Sequence, residues 1–153
     1  MSTAANGVGF DEGSYCTPTG RFEVSEKIGD GEPLKTIFKS RKPVGVWDGS
    51  LNEQDMILSR IVRLHGLDAE NANSMDRYIY IHGTNQEVAL GEPVSCGCIR
   101  MGNEDVVDLY DRIDVGVPLV ITYCPSFLRV WSSNCLQPSS SMSATSSKPS
   151  SSP

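Results

Sequence analysis

A mostly β domain carrying one late helix is what this sequence of 153 residues predicts. Three observations carry that prediction. Short stretches dense in β-branched and aromatic residues recur along the chain, turn signals built from Gly, Pro, Asn and Asp separate them, and the spacing of apolar residues changes to a helical period only near Asn103. Short strands, many turns and a single helix point to a sheet architecture rather than to alternating strand–helix units.

The elements follow in order. Residues 1–20 are rich in Gly, Ser and Thr and close on the turn Thr17-Pro18-Thr19-Gly20. Arg21 to Ser25 alternates polar and apolar residues, as a half-buried strand does, and Gly29-Asp30-Gly31-Glu32-Pro33 makes the next turn. Short apolar pieces follow, broken by Pro43, Gly45 and Asp48-Gly49. Ile57 to Leu64 (ILSRIVRL) fits strand or helix; its short length and the Gly66 stop favour strand. Arg77 to His82 (RYIYIH) is the clearest strand, ended by Gly83-Thr84-Asn85. From Asn103 to Ile113 a helix is predicted. Asn103 serves as its N-cap, Glu104 and Asp105 suit its positive end, and Val106, Tyr110 and Ile113 share one face. Pro118 to Tyr123 (PLVITY) reads as a buried strand. The Ser/Pro-rich remainder cannot bury enough apolar area to offset its ordering entropy. The expected organisation is a domain over 1–125 and a disordered tail over 126–153.

Composition narrows the function. The 13 Lys and Arg stand against 19 Asp and Glu, a formal net charge of −6, and no basic run offers a phosphate-tracking surface; nucleic acid is not an expected partner. No apolar stretch reaches the roughly 18 residues of a membrane helix. Met1 to Phe10 has neither the basic start nor the apolar segment of an export signal. The five cysteines are an odd number and lack paired C-x-x-C knuckles, against a closed disulfide framework or a structural zinc. Neither a metal nor a cofactor is expected, and oligomeric state is not readable.

Chemistry concentrates between Tyr78 and Met101. His82 ends a strand at a glycine turn, and Ser95-Cys96-Gly97-Cys98 is a tight turn shortly before the helix. Backbone N–H groups of such a turn can converge on an anion, and a thiol among them, two residues from Arg100, would be drawn toward thiolate. Cys98 would be an activated cysteine there, with Ser95, Cys96 and Gly97 as an oxyanion turn. From residue types alone, two bland readings stand beside it: a cysteine in a small domain is commonly a buried hydrophobe, and a strand-end histidine a satisfied polar group. Cys96-Gly97-Cys98 also suits a redox pair, or a metal site together with His82.

The fixed-gap pattern His82-Gly83-Thr84-Asn85, followed by Gly91, Pro93, Ser95, Gly97, Cys98, Ile99, Arg100 and Met101, resembles the active-site motif of the L,D-transpeptidases of the YkuD type. Thr17-Pro18-Thr19-Gly20-Arg21-Phe22 resembles that family's strand entry, and the likeness runs from about Ser2 to Tyr123. The resemblance implies a YkuD-like β-sandwich or mixed sheet with one or two short helices. It implies an enzyme of the cell envelope that acts on peptidoglycan stem peptides through a cysteine thioester, releases D-alanine and passes the acyl group to an amine, or to water as an L,D-carboxypeptidase. Under it, Arg100, Gly83, Thr84 and Tyr80 bind substrate or shape the site. Two departures are visible. Cys96 stands where the family often has histidine, which leaves His82 as the base because His65 lies outside the motif. Family domains also usually carry one or two strands before the segment that here begins at Ser2, so a strand of the sheet is expected to be missing. A catalytically inactive, peptidoglycan-binding copy is the remaining alternative.

Overall fold

The computed structural model describes residues 1–52 and 54–123. Its elements, in chain order, are β1 (Gly20–Ile28), β2 (Thr36–Lys39), β3 (Lys42–Val46), β4 (Ile57–Gly66), β5 (Tyr80–Gly83), β6 (Ile99–Met101), α1 (Asn103–Arg112) and β7 (Pro118–Ile121), with two short 3-10 turns flanking β5. The strands join in one mixed sheet. β4 pairs antiparallel with β1, β2 and β5, β7 extends β1, β3 extends β2, and β6 joins β5 in parallel. The ambiguous ILSRIVRL stretch is thus the central strand. Its apolar run does not alternate because both faces are covered: Leu58 to Val62 are all buried.

The two faces differ. Val62 and Leu64 pack with Phe22, Val24, Ile79, Ile99 and Tyr110 in the larger core, under α1. Ile61 turns the other way, to Phe38 and Tyr80, and Cys98 packs against that smaller cluster. Between them β4 carries a bulge. Leu58 pairs with Gly83 but Ile61 with His82, and Ser59, in the interval, has a φ of 65°.

Helix α1 begins and buries Val106 and Tyr110 as the spacing predicts. Its start differs in detail. Gly102 is the N-cap and Asn103 is the first helical residue, wholly buried. Asn103 Nδ2 donates to Thr84 O at 2.8 Å and Glu87 Oε1 at 2.9 Å, and its Oδ1 accepts from Ser59 Oγ at 2.7 Å. Its backbone N–H donates to Glu87 Oε1 at 2.6 Å, so a carboxylate from the preceding loop satisfies the positive end of the helix. Tertiary partners, not a local cap, set this terminus.

Two strand expectations are corrected. The RYIYIH strand is shorter: Arg77 and Tyr78 lie in a turn, Tyr78 with φ 57°, because the N–H groups of Arg77, Tyr78 and Ile79 donate to Asn73 O, Met75 O and Ser74 O. β-propensity does not encode that turn. PLVITY is an edge strand, not a buried one. β7 pairs with β1, Pro118 at its start lacks a donor, and Val120 is 64% exposed. The tail 126–153 lies outside the described residues, as do Cys124, just before it, and Cys135 within it.

Because Asn103 ties helix, bulge and the loop after β5 together, Asn103→Ala strands buried groups on all three. It is expected to destabilise the fold by about 2–4 kcal/mol, measured by chemical denaturation. A loss below 0.5 kcal/mol (roughly the effect of a surface change) would remove this role.

Candidate active site

Parallel pairing of β5 with β6 assembles the site. Ile81 stands beside Ile99, His82 beside Arg100 and Gly83 beside Met101. Ile81 and Ile99 point to the larger core. By the alternation of a strand, Tyr80 and His82 face the other side with Arg100 and with Cys98, which immediately precedes β6. Thiol and imidazole therefore share one face of neighbouring strands, two residues out of step. His65 lies near the far end of β4, opposite Glu23.

The turn before Cys98 is built from hydrogen bonds. Ser95 Oγ accepts from the Gly97 N–H at 3.2 Å and donates to Cys98 O at 2.6 Å. The Ser95 N–H donates to Thr3 O at 2.9 Å, and Thr17 Oγ1 donates to Gly97 O at 2.9 Å while accepting from the Ala4 N–H at 2.9 Å. Gly97 has a φ of 124°, and a Cβ there would stand 3.3 Å from Cys16 O and 3.4 Å from Ile79 Cδ1. Glycine is needed at Gly97 for conformation and for space. Ser95 is a turn builder, and the Gly97 N–H is already committed. Among the described residues, the N–H groups of Cys96 and Cys98 meet no acceptor. Cys96 itself is exposed.

The electrostatics reverse one expectation. Cys98 Sγ lies 3.3 Å from Tyr78 O, half-buried. Burial pushes the thiol up to about 11, and the smaller pull of the Tyr80 backbone N–H does not restore it. Arg100 does not add a free positive charge. Its Nη2 pairs with Asp55 Oδ2 at 2.8 Å, and its Nη1 donates to Gln86 Oε1 at 2.9 Å. The partner acid comes from the loop before β4. His82 is 1% exposed, and burial lowers its pKa from 6.5 despite the Gly83 carbonyl and Asp55. Its Nδ1 is 2.7 Å from Gly83 O, so a neutral ring donates there and keeps Nε2 as the basic nitrogen. Both shifts favour the neutral forms, thiol and imidazole.

The remaining sequence-predicted residues have clear structural positions. Thr84 Oγ1 donates to Asp55 Oδ1 at 3.3 Å and accepts from the Gln86 N–H at 3.0 Å. Gly83 is required by close approach, since a Cβ would stand 2.5 Å from Asn103 Oδ1 and 2.7 Å from Leu58 O. Tyr80 lines an open cleft with Tyr78, Ile57, Ser40 and Arg41. Sequence reasoning missed Asp55, Thr17 and Arg41. Asp55 and Arg41 lie in irregular segments with no pattern to mark them; Thr17 belongs to the strand-entry motif and was legible there. Among the described residues no group of three or more His, Cys, Asp or Glu gathers as metal ligands do.

The family model for the YkuD L,D-transpeptidase catalytic domain matches residues 2–121. The putative L,D-transpeptidase YqjB of Bacillus subtilis (strain 168) is 36% identical over 106 residues, covering 69% of this chain and 52% of that protein. The probable L,D-transpeptidase YbiS of Escherichia coli (strain K12) is 45% identical over 104 residues, covering 68% of this chain and 26% of that protein. The chain therefore spans about half the length, or less, of these curated relatives. Among solved structures, L,D-transpeptidase 3 from Mycobacterium tuberculosis in complex with a faropenem-derived adduct superposes with a TM-score of 0.44 and 24% identity, over 75% of this chain and 43% of that chain.

Two pH effects follow from the buried pair. Alkylation of Cys98 by iodoacetamide, followed by peptide mass, is expected to keep accelerating toward pH 11, the thiol lying near there. A plateau reached below pH 7 would show a resting thiolate instead. His82 has its folded pKa below its unfolded value, so the stability it contributes is present above pH 6.5 and lost as pH falls. The slope of unfolding free energy against pH below 6.5 should be shallower in His82→Gln; equal slopes would contradict a buried neutral imidazole.

Proposed function

Because this chain belongs to the YkuD family of L,D-transpeptidase catalytic domains, we propose that it is an acyltransferase of peptidoglycan stem peptides that works through a thioester on Cys98. The observation that carries this reading is the shared strand face of Cys98 and His82, beside a cleft walled by Tyr78 and Tyr80. The substrate belongs to the cell envelope, and the proposal puts the chain's work there.

A neutral resting pair sets the order of events. An acyl donor entering the cleft brings its carbonyl carbon to Sγ, and the thiol proton passes to His82 as the S–C bond forms. The Cys96 and Cys98 N–H groups are the donors left in the turn for the developing oxyanion, Gly97 being held by Ser95. Collapse breaks the peptide C–N bond, and the departing D-alanine takes the proton from His82. An amine of a second stem then attacks the thioester carbonyl, its proton returns by way of His82, and the Cys98 thiol is regenerated. Water in place of the amine gives the carboxypeptidase outcome. Asp55 neutralises Arg100, and this ion pair keeps an uncompensated positive charge away from the imidazole that must accept a proton. Arg100, Thr84 and Gly83 act here as positioning groups.

The test is intact-mass spectrometry after incubation with a stem tetrapeptide, and separately with a carbapenem, followed by peptide mapping. An adduct on Cys98 with one equivalent of D-alanine released is expected. Cys98→Ala should form none, His82→Ala should acylate roughly 10²–10⁴-fold more slowly, and Cys96→Ser should remain active. A protein shown folded by circular dichroism that takes up neither probe sinks the reading and returns the chain to the binding-copy alternative. A Cys96→Ser loss as deep as that of Cys98→Ala would move catalysis onto the C-x-C pair.

A further inference from the structure

Among the described residues, a cation without an ion-pair partner overhangs a cleft whose wall Cys98 adjoins. The cleft lined by Ser40, Arg41, Ile57, Tyr78 and Tyr80 has a volume of about 430 Å³. Cys98 adjoins its wall, packing near Tyr80 and donating to Tyr78 O. The two tyrosine rings meet edge to face, centroids 6.4 Å apart. Arg41 reaches over them: Nη1 donates to Tyr80 Oη at 3.4 Å, and the guanidinium carbon is 5.8 Å from the centre of the Tyr78 ring. Among the described residues Arg41 forms no ion pair. The acid whose charge it feels is Glu26, which Arg63 already holds at 2.6 Å. One N–H of the five is used, and a planar fork remains free.

The backbone is arranged to put the guanidinium there. Lys39 pairs with Lys42 across a two-residue hairpin loop of Ser40 and Arg41, with φ 49° and 65°. Such a loop favours Asn and Gly, which enter the left-handed region at little cost. Here both positions carry ordinary side chains, and Tyr78 on the facing wall is also left-handed, with φ 57°. Strained residues gathered on the walls of one cleft are a feature of ligand clamps. The hairpin tip Lys39-Ser40-Arg41-Lys42 is also a basic spot in a chain of formal net charge −6, which suits an anion.

We propose that Arg41 binds a carboxylate of the acyl-donor peptide and so sets which peptides enter the cleft beside Cys98. The inference rests on the reading of Cys98 as the acyl carrier. A stem peptide offers two such groups, the terminal α-carboxylate and any side-chain carboxylate of the residue before it; both match the planar guanidinium fork.

The experiment uses the full chain in two backgrounds. In Cys98→Ala protein, calorimetric titration with a tetrapeptide acid measures binding without turnover. Arg41→Gln is expected to weaken it roughly ten- to a hundredfold, with Arg41→Lys between the two. Amidating the terminal carboxylate in one peptide, and the penultimate side-chain carboxylate in another, identifies the recognised group: on that peptide alone Arg41→Gln loses its effect. In protein with Cys98 intact, the acylation rate at low peptide concentration should fall by the same factor, while melting temperature and Cys98 alkylation by iodoacetamide stay unchanged. An equal loss on all three peptides, a change in alkylation rate or no effect of Arg41→Gln would overturn the inference, as would failure of the Cys98→Ala protein to bind the tetrapeptide acid. Binding that depends on Arg41, without acylation of Cys98 in the unsubstituted protein, would keep the carboxylate site and remove acyl transfer.

Discussion

The parallel pairing of β5 with β6 is the constraint on which the rest depends. Two short strands lie side by side with His82 level with Arg100, and that register puts thiol, imidazole and guanidinium on one face. A slip of one residue would turn Cys98 and Arg100 toward the larger core and Ile99 toward the cleft. Neighbouring elements hold the register. Ser2 bonds Arg100 backbone to backbone along the outer edge of β6, at 2.8 Å in both directions. On the inner side the β4 bulge brings Ser59 Oγ to Asn103, whose amide also grips the loop after β5. The edge of the sheet, the bulge and the helix start thus converge on three residues of β6.

Burial decides the chemistry of the resting site. Arg100 and Asp55, bound to each other, act with opposite sign on Cys98 and His82, and desolvation is the largest influence on both groups. Removing Asp55 would leave the buried Arg100 guanidinium without its carboxylate and destabilise the fold. The ion pair is better understood as a means of tolerating Arg100 beneath the imidazole than as an activator of the thiol.

Much of the fold was legible. The alternation in β1, the β-branched run of β4 and the helical period of α1 are local patterns, and each element appears where its pattern lies. The errors fell where partners rather than neighbours decide. Tyr78 has the composition of a strand residue but sits in a turn set by hydrogen bonds to Met75 and its neighbours. Asn103 has the preference of a cap but serves as a buried tie. The apolar residues of β7 suggested burial, although its place at the edge of the sheet leaves alternate side chains in water.

The sequence by itself determined the family, because the run from His82 to Met101 holds its residues at fixed gaps within one local segment, and local spacing survives without coordinates. It also marked Cys98 and His82 as the candidate pair. The tertiary structure alone decided that the two share a face, that Asp55 takes up the charge of Arg100, and that Arg41 overhangs the cleft without an ion pair among the described residues. Those facts depend on chain segments far apart in sequence whose approach no local pattern records, and on how much water each group loses when they meet.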